Sequence, residues 1–246
     1  MRLIGYVFKM KDPDLIFLED CDNEQLKTLI DIIVFDKDGK KRLTENISNE
    51  QKFIWHYPNN VKNLIPEIVD EIQLFGGNSI ANTLRGHGVF YREILEDVCD
   101  KMKVNYNKKL STPLLEMELL RKVAMNAVEN MSEEDIKAFD ENLNKDKLMK
   151  AIMAGNGPIL TALTAIIVQQ VTRQAAKSGA MMLFGRVLAP RIVAFAVPVI
   201  NALAVAWAIY DIAGPAYRVT IPFTITTAFL RRQLELKGSQ ELNLFA

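Results

Sequence analysis

The chain has 246 residues, with 30 Lys+Arg against 30 Asp+Glu and a hydrophobic content of 49%. This ordinary globular composition, with Cys21 and Cys99 as the two cysteines, excludes a mostly disordered chain and a disulfide framework and predicts a reduced, cytoplasmic location. Because the formal net charge is zero, no nucleic-acid partner is expected.

The first helices are predicted from their capping residues. Asp12 before Pro13 predicts one helix start, and Asp22 or Asn23 predicts a second. The sequence Asp-Lys-Asp-Gly at residues 36–39 then predicts a turn. It lacks the further acidic ligands of an EF-hand, so no metal site is predicted there.

Further caps follow along the N-terminal part. Ser48 is expected to cap a short helix and Asn63 another, and Thr112-Pro113 is expected to open a long one. The sequence Ser-Glu-Glu-Asp from Ser132 has the form of a capping box. With no convincing run of alternating strand residues, the sequence predicts a mainly α protein that begins with a bundle of short helices.

A glycine-rich stretch interrupts this bundle at residues 75–95. We expect its glycines to shape two tight helix junctions, with Arg85 or Arg92 paired to acidic residues of the same bundle. The alternative is an anion site made by free backbone N–H groups and by Arg85, His87 and Arg92. His87 is the candidate for acid–base chemistry because the other histidine is His56. The four glycines are Gly76, Gly77, Gly86 and Gly88.

Charge is distributed unevenly along the chain. Residues 1–150 carry 22 Lys+Arg and 27 Asp+Glu, a net charge of −5. Residues 151–246 carry 8 Lys+Arg and 3 Asp+Glu, a net charge of +5. The sequence Gly-Asn-Gly-Pro at 155–158 predicts a turn near the boundary. The predicted units are a small helical domain at 1–46, a helical bundle at 47–153, an apolar helical unit at 154–236 and a flexible tail at 237–246.

Residues 192–210 form a run of 19 uncharged residues, long enough as a helix to span about 28 Å. Six alanines, Pro198 and Asn201 make it a weak membrane span. It is expected to be the buried centre of a helical unit that can open onto a membrane, where Arg186 and Arg191 would lie at the headgroups. A wholly buried helix and a constitutive span are the alternatives.

The last helix is predicted at 224–236, where Arg231-Arg232 would suit the C-terminal half of the helix or form a plain solvated end. Residues 216–220 lie between the Gly-Pro pair at 214–215 and the Ile-Pro pair at 221–222, and they are expected to be extended or a short turn. The basic residues at 151–230 could lie at anionic headgroups, or they could instead face the acidic N-terminal part and form a salt-sensitive docking surface within the chain. They are Arg173, Lys177, Arg186, Arg191 and Arg218.

Two motifs carry a family resemblance. The first motif is formed by residues 75–82, 85–88 and 91–92, and the second is the sequence Asp-Ile-Ala-Gly-Pro-Ala-Tyr-Arg-Val-Thr-Ile-Pro at 211–222. Together with the opening at 14–43, they resemble the uncharacterised bacterial YaaW family. That family is loosely grouped with helical ubiquinol–cytochrome c chaperones, and the resemblance implies no catalytic residues. The motif residues are Gly76, Gly77, Asn78, Ser79, Asn82, Arg85, Gly86, His87, Gly88, Tyr91 and Arg92, then Asp211, Gly214, Pro215, Tyr217, Arg218 and Pro222.

Three functions are consistent with these features. The first is a non-enzymatic interaction protein of the cytoplasm that docks on, or conditionally inserts into, an anionic inner membrane surface. The second is a soluble chaperone or assembly factor with a protein partner. The third is an enzyme that uses the Arg85, His87 and Arg92 region. No cofactor or metal is expected for the first two.

Overall fold

The computed structural model describes residues 12–36, 38–76, 88–155, 157–175 and 216–244. Most of these residues are helical, so the predicted mainly α class is confirmed. A single antiparallel bridge joins Phe35 to Lys41 within the described ranges. The α-helices are α1 Asn23–Val34, α2 Gln51–His56, α3 Ile65–Gly76, α4 Tyr91–Lys101, α5 Thr112–Glu129, α6 Glu133–Phe139, α7 Lys145–Met153, α8 Gly157–Ala175 and α9 Tyr217–Leu244. Three 3₁₀ helices lie at Pro13–Asp20, Ile47–Asn49 and Val61–Leu64.

Side-chain caps fix several helix starts where they were predicted. Asp12 caps the first 3₁₀ helix, with Pro13 as its first residue. Asp22 and Gln25 form a capping box at α1, and Ser132 forms one at α6. Each cap satisfies a backbone N–H that has no partner inside its own helix.

Two other predicted caps are wrong. Ser48 lies inside the 3₁₀ helix Ile47–Asn49, where its N–H and hydroxyl both donate to the buried Glu45 carboxylate. Asn63 lies inside the 3₁₀ helix Val61–Leu64, which runs directly into α3. In both places a 3₁₀ turn occupies the position that the cap was expected to take, because short 3₁₀ turns often precede α-helices.

Helix α9 is the central helix of the described bundle. Residues 219–230 are buried except for the half-buried Pro222, and α9 packs against α1, α3, α4, α5 and α8. It begins at Tyr217 and runs to Leu244, whereas the sequence predicted a helix at 224–236 after an extended stretch at 216–220. The prediction was wrong there because tertiary packing holds Pro222 within a helical turn, which local sequence preference disfavours.

The turn predicted at 155–158 is present between α7 and α8. Gly155 has a φ of +72°, a conformation that glycine adopts without strain. Pro158 is the second residue of α8, where its missing N–H removes no hydrogen bond. The chain therefore turns sharply at this point, and α8 packs against α5 and α7.

The uncharged run at 192–210 lies outside the described residues, so its predicted burial remains a prediction. Among the helices described, none is by itself both long enough and apolar enough to cross a membrane. Helix α7 and residues 157–169 of α8 reach that length and composition only together, with a bend of 102° between them.

Candidate functional site

The structure describes part of each motif. Gly76, Gly88, Tyr91 and Arg92 of the glycine-rich motif belong to the described chain; Tyr217, Arg218 and Pro222 do so in the C-terminal motif. The remaining motif residues lie outside the described ranges: Gly77, Asn78, Ser79, Asn82, Arg85, Gly86, His87, Asp211, Gly214 and Pro215. The described part of the candidate site therefore comprises the two ends of the segment 77–87 and the start of α9.

A buried carboxylate joins the two ends of the segment 77–87. Asp12, 2% exposed, accepts a hydrogen bond from the Gln73 side-chain amide at 2.9 Å and from the Tyr91 backbone N–H at 2.7 Å. The Val89 N–H also donates to the Gln73 carbonyl. Gln73 belongs to the end of α3 and Tyr91 to the start of α4. Asp12 therefore holds these two helices together at the two ends of the segment 77–87.

Glycine is required at both ends of this segment because the backbones approach closely. A β-carbon on Gly88 would overlap the backbone carbonyl of Gln73. A β-carbon on Gly76 would overlap the side chains of Ile94 and Val89. These two glycines therefore let α3 and α4 meet closely at the base of the motif.

The Tyr91 side chain points away from Asp12 into a second buried cluster. Its hydroxyl donates to Glu116 of α5 at 2.8 Å, and the same carboxylate accepts from Arg231 of α9, with Nε at 2.6 Å from Oε2. Arg231 also donates to the Asp14 carbonyl, and its guanidinium lies 4.0 Å from the centre of the Phe17 ring. Four segments distant in sequence therefore meet at one ion pair.

Burial determines how these groups titrate. It raises the pKa of the Glu116 carboxyl, and the Arg231 hydrogen bond and charge offset this only in part. Burial lowers the pKa of Arg231, but the hydrogen bond and charge of Glu116 outweigh it and raise that pKa. Burial and the neighbouring Glu116 raise the pKa of Tyr91 well above its ordinary value. The cluster thus holds Arg231 protonated and the Tyr91 hydroxyl as a donor.

Arg92 is held within its own bundle rather than presented to an anion. Its guanidinium donates to Glu96 at 2.8 Å and to the backbone carbonyls of Leu110 and Lys108 at 2.8 and 3.2 Å. The prediction that Arg85 or Arg92 pairs with an acidic residue is confirmed for Arg92. Its role is to tie α4 to the loop that precedes α5.

The C-terminal motif begins α9 around a proline. Pro222 has no N–H to donate to the carbonyl of Arg218, four residues earlier. That carbonyl is 3.5 Å from Nη2 of Arg42, whose Nε donates to the Ile32 carbonyl. Tyr217 lies beneath Lys101 of α4, with Nζ 5.2 Å from the ring centre. The first turn of α9 is therefore held by side chains from α4 and from the turn after α1.

The described groups offer little for nucleophilic or metal chemistry. Burial raises the pKa of both Cys21 and Cys99 to about 12, so both thiols stay protonated at neutral pH. Across the described ranges no group of three or more His, Cys, Asp or Glu side chains is placed to hold a metal ion. What the cluster does is join elements: the first 3₁₀ helix, α3, α4, α5 and α9.

Sequence reasoning missed the residues that make this junction. Asp12 was identified only as a helix cap, Arg231 as part of a solvated helix end, and Glu116 was not singled out. Glu116 had one usable signal: it lies on the same helical face as Leu119 and Leu120, three and four residues on, and this face is apolar. A carboxylate on such a face needs a buried partner.

Comparisons with known proteins cover nearly the whole chain. Residues 10–43 match a family model described as a domain of unknown function, DUF3944. A UPF0174 protein of Helicobacter pylori strain J99 is 35% identical over 244 residues, 95% of this chain and 96% of that protein. The UPF0174 protein YaaW of Escherichia coli K12 is 32% identical over 231 residues, 92% of this chain and 96% of that protein. No solved structure matches the chain. At this identity and coverage, and with both motifs present, the chain belongs to the UPF0174 family.

Proposed function

We propose that this protein is a non-enzymatic helical interaction protein that docks on an anionic membrane surface through residues 176–215. The observation that carries the proposal is the packing of the two flanking helices. Helices α8 and α9 pack against each other, and both pack against α1 and α5. The bundle would therefore act as a base that holds both ends of the docking segment.

The composition of the segment supports a lipid surface as the partner. Of its 40 residues the charged ones are Lys177, Arg186, Arg191 and Asp211, so three of the four are basic. Each basic residue near an anionic leaflet contributes about 1 kcal/mol of attraction. The uncharged run at 192–210 follows two of these residues directly. This order is typical of an interfacial segment whose arginines contact lipid headgroups while its apolar residues enter the interface.

An enzyme that uses Arg85, His87 and Arg92 is the weaker alternative. Arg92 already donates to Glu96 and to two backbone carbonyls, so its guanidinium is committed to the bundle. Arg85 and His87 lie outside the described residues. A soluble assembly factor, the other alternative, rests on the loose family grouping and becomes an outcome of the test.

Co-sedimentation of the full chain with vesicles tests the proposal. We expect binding to vesicles of phosphatidylcholine and phosphatidylglycerol, weaker binding at high salt, and little binding to phosphatidylcholine alone. Leu203→Arg should abolish binding because it places a charge in the uncharged run. The matched control is Leu114→Arg, at a side chain 55% exposed on α5, which should bind as the unmodified chain does.

The opposite result also has a clear meaning. If the chain ignored anionic vesicles at low salt and remained wholly in the soluble fraction of cells, membrane docking would be rejected. The assembly-factor hypothesis would then take its place, and its test is recovery of a defined protein partner.

A further inference from the structure

The first 3₁₀ helix, Pro13–Asp20, is an unusual element for the position it occupies. It runs for eight residues, although 3₁₀ runs beyond three or four residues are uncommon because their hydrogen-bond geometry is poor. It packs against α3 and α4. It is held mainly by side chains: Leu15 and Leu18 are buried, and Asp12 caps its start. Its own backbone holds it less well than an α-helical backbone of the same length would, because 3₁₀ hydrogen bonds have poorer geometry.

This 3₁₀ helix covers the buried ion pair. The Asp14 carbonyl accepts from Nη2 of Arg231, and the Phe17 ring lies against the guanidinium. Arg231 is 15% exposed and its partner Glu116 is 2% exposed. Lifting the 3₁₀ helix would remove two contacts of Arg231 and admit water to the pair. Buried charge pairs depend strongly on such surrounding contacts.

The packed position of helix α9 depends on the contacts of Arg231 because other features of this helix are unfavourable. The hydroxyls of Thr224, Thr226 and Thr227 are buried and have no hydrogen-bond partner within the described part of the chain. Among the described residues, each hydroxyl has lost water without gaining an acceptor, which disfavours the packed position. Pro222 also removes one backbone hydrogen bond from the same helix.

We propose that the 3₁₀ helix Pro13–Asp20 is a detachable clamp on α9: it opens before the bundle unfolds, and its opening loosens α9 around Arg231. The clamp is a property of the folded chain alone. Its consequence, that a loosened α9 lets residues 176–215 reach a membrane, rests on the proposed function. The two claims are therefore tested by separate measurements.

Native-state hydrogen exchange of the full chain without vesicles tests the clamp. Amides of residues 15–21 should exchange through a subglobal opening, at least about tenfold faster than amides in the middle of α5. If residues 15–21 and α5 exchanged only through one common unfolding event, at all urea concentrations, the clamp would be overturned.

A pair of variants tests the link from the clamp to α9. Leu18→Ala should speed exchange of the α9 amides around Arg231, because it weakens the 3₁₀ helix. The matched control is Leu148→Ala on α7, where the side chain is as fully buried but packs on α5 and α8. Equal effects of the two variants on α9 would contradict the link.

A second pair remains informative if Leu18→Ala fails to fold. Arg231→Met should speed exchange of both α9 and residues 15–21, because it removes the contact that joins them. Arg232→Met, at the neighbouring half-exposed arginine that pairs with Glu235, should leave both unchanged. If Arg231→Met altered α9 alone, the 3₁₀ helix would not be its clamp. If the unmodified chain gave the expected exchange pattern but did not bind anionic vesicles, the result would instead count against the proposed function.

Discussion

The backbone and the hydroxyl of Tyr91 bind two different carboxylates, which gives one residue two structural roles. Its N–H donates to Asp12 at the base of the glycine-rich motif, and its hydroxyl donates to Glu116 beside Arg231. The side chain is fully buried. A phenylalanine would keep the first contact and lose the second, leaving one Glu116 lone pair without its donor.

Gly88→Ala should destabilise the protein by about 1–3 kcal/mol, the usual range for overpacking a close contact. The added methyl meets the Gln73 backbone, which cannot rotate away as a side chain can. Thermal unfolding measures the loss. Gly238→Ala is the control: no atom lies within 4 Å of its added methyl, and a helical Gly→Ala change should stabilise by roughly 0.5–1 kcal/mol. An unchanged melting temperature for Gly88→Ala would contradict the close approach.

The interactions at these residues explain what sequence patterns could and could not predict. A cap such as Asp22 or Ser132 acts within three residues, so the local sequence contains its capping partners. The partner of Glu116 is Arg231, 115 residues away. Helical periodicity showed that Glu116 shares a face with leucines, but no pattern within one helix identifies the helix that packs against it.

At the scale of elements, the first turns of α9 depend on a module from the other end of the chain. The matched DUF3944 region, residues 10–43, supplies both Asp12 and Arg42. Asp12 holds the ends of the glycine-rich motif, and Arg42 approaches the Arg218 carbonyl, to which Pro222 has no N–H to donate. The N-terminal module thus contacts both family motifs.

A double-mutant cycle tests the Arg42 contact. Arg42→Met should cost about 1 kcal/mol of stability in the unmodified chain, the typical net value of a hydrogen bond. The cost should be smaller in a Pro222→Ala background, because alanine restores the N–H for the Arg218 carbonyl. Chemical unfolding of the four proteins gives the coupling. The bond of Arg42 to Ile32 is present in both backgrounds, so it cancels, and a coupling of zero would refute the contact.

Element types were easier to predict from sequence than element positions in the bundle. Proline and capping residues predicted the starts of the first 3₁₀ helix, α1, α5 and α6. The sequence placed 192–210 at the centre of the C-terminal unit because that run is uncharged, and this stays a prediction. It did not identify α9 as the helix at the centre of the described bundle. Helix α9 carries buried threonines and Pro222, and both lower the apolar signal on which that choice depended.

At the scale of the whole molecule, the acidic and basic parts of the chain meet through specific contacts. Arg231 pairs with Glu116, and Gln233 accepts from Gln25 of α1 at 3.3 Å. Arg231 thus makes a contact of the kind expected for the five basic residues at 151–230, for which it stays a prediction. Because this pair is buried, added salt should weaken it far less than an exposed pair.

Burial also gives the whole molecule an unusual pH dependence. It raises the pKa of four carboxyls: Asp31, Glu71, Asp97 and Glu116. A raised pKa means that the folded state binds a proton at a higher pH than the unfolded state does. The stability from each group is then complete below its ordinary pKa and is lost as the pH rises through the folded pKa.

We therefore expect the free energy of unfolding to be larger near about pH 4, close to the ordinary carboxyl pKa values, than near about pH 8, and each unit of pKa difference is worth about 1.4 kcal/mol. Urea unfolding at several pH values measures this. Glu71→Gln should flatten the dependence, because the amide oxygen can still accept from the Asn46 N–H at 2.9 Å while the buried charge, which faces Glu45, Glu50 and Asp70, is gone. Glu141→Gln, at an exposed position between α6 and α7, should leave the dependence unchanged. Greater stability at the higher pH would show that the ion pairs of these carboxylates outweigh their burial.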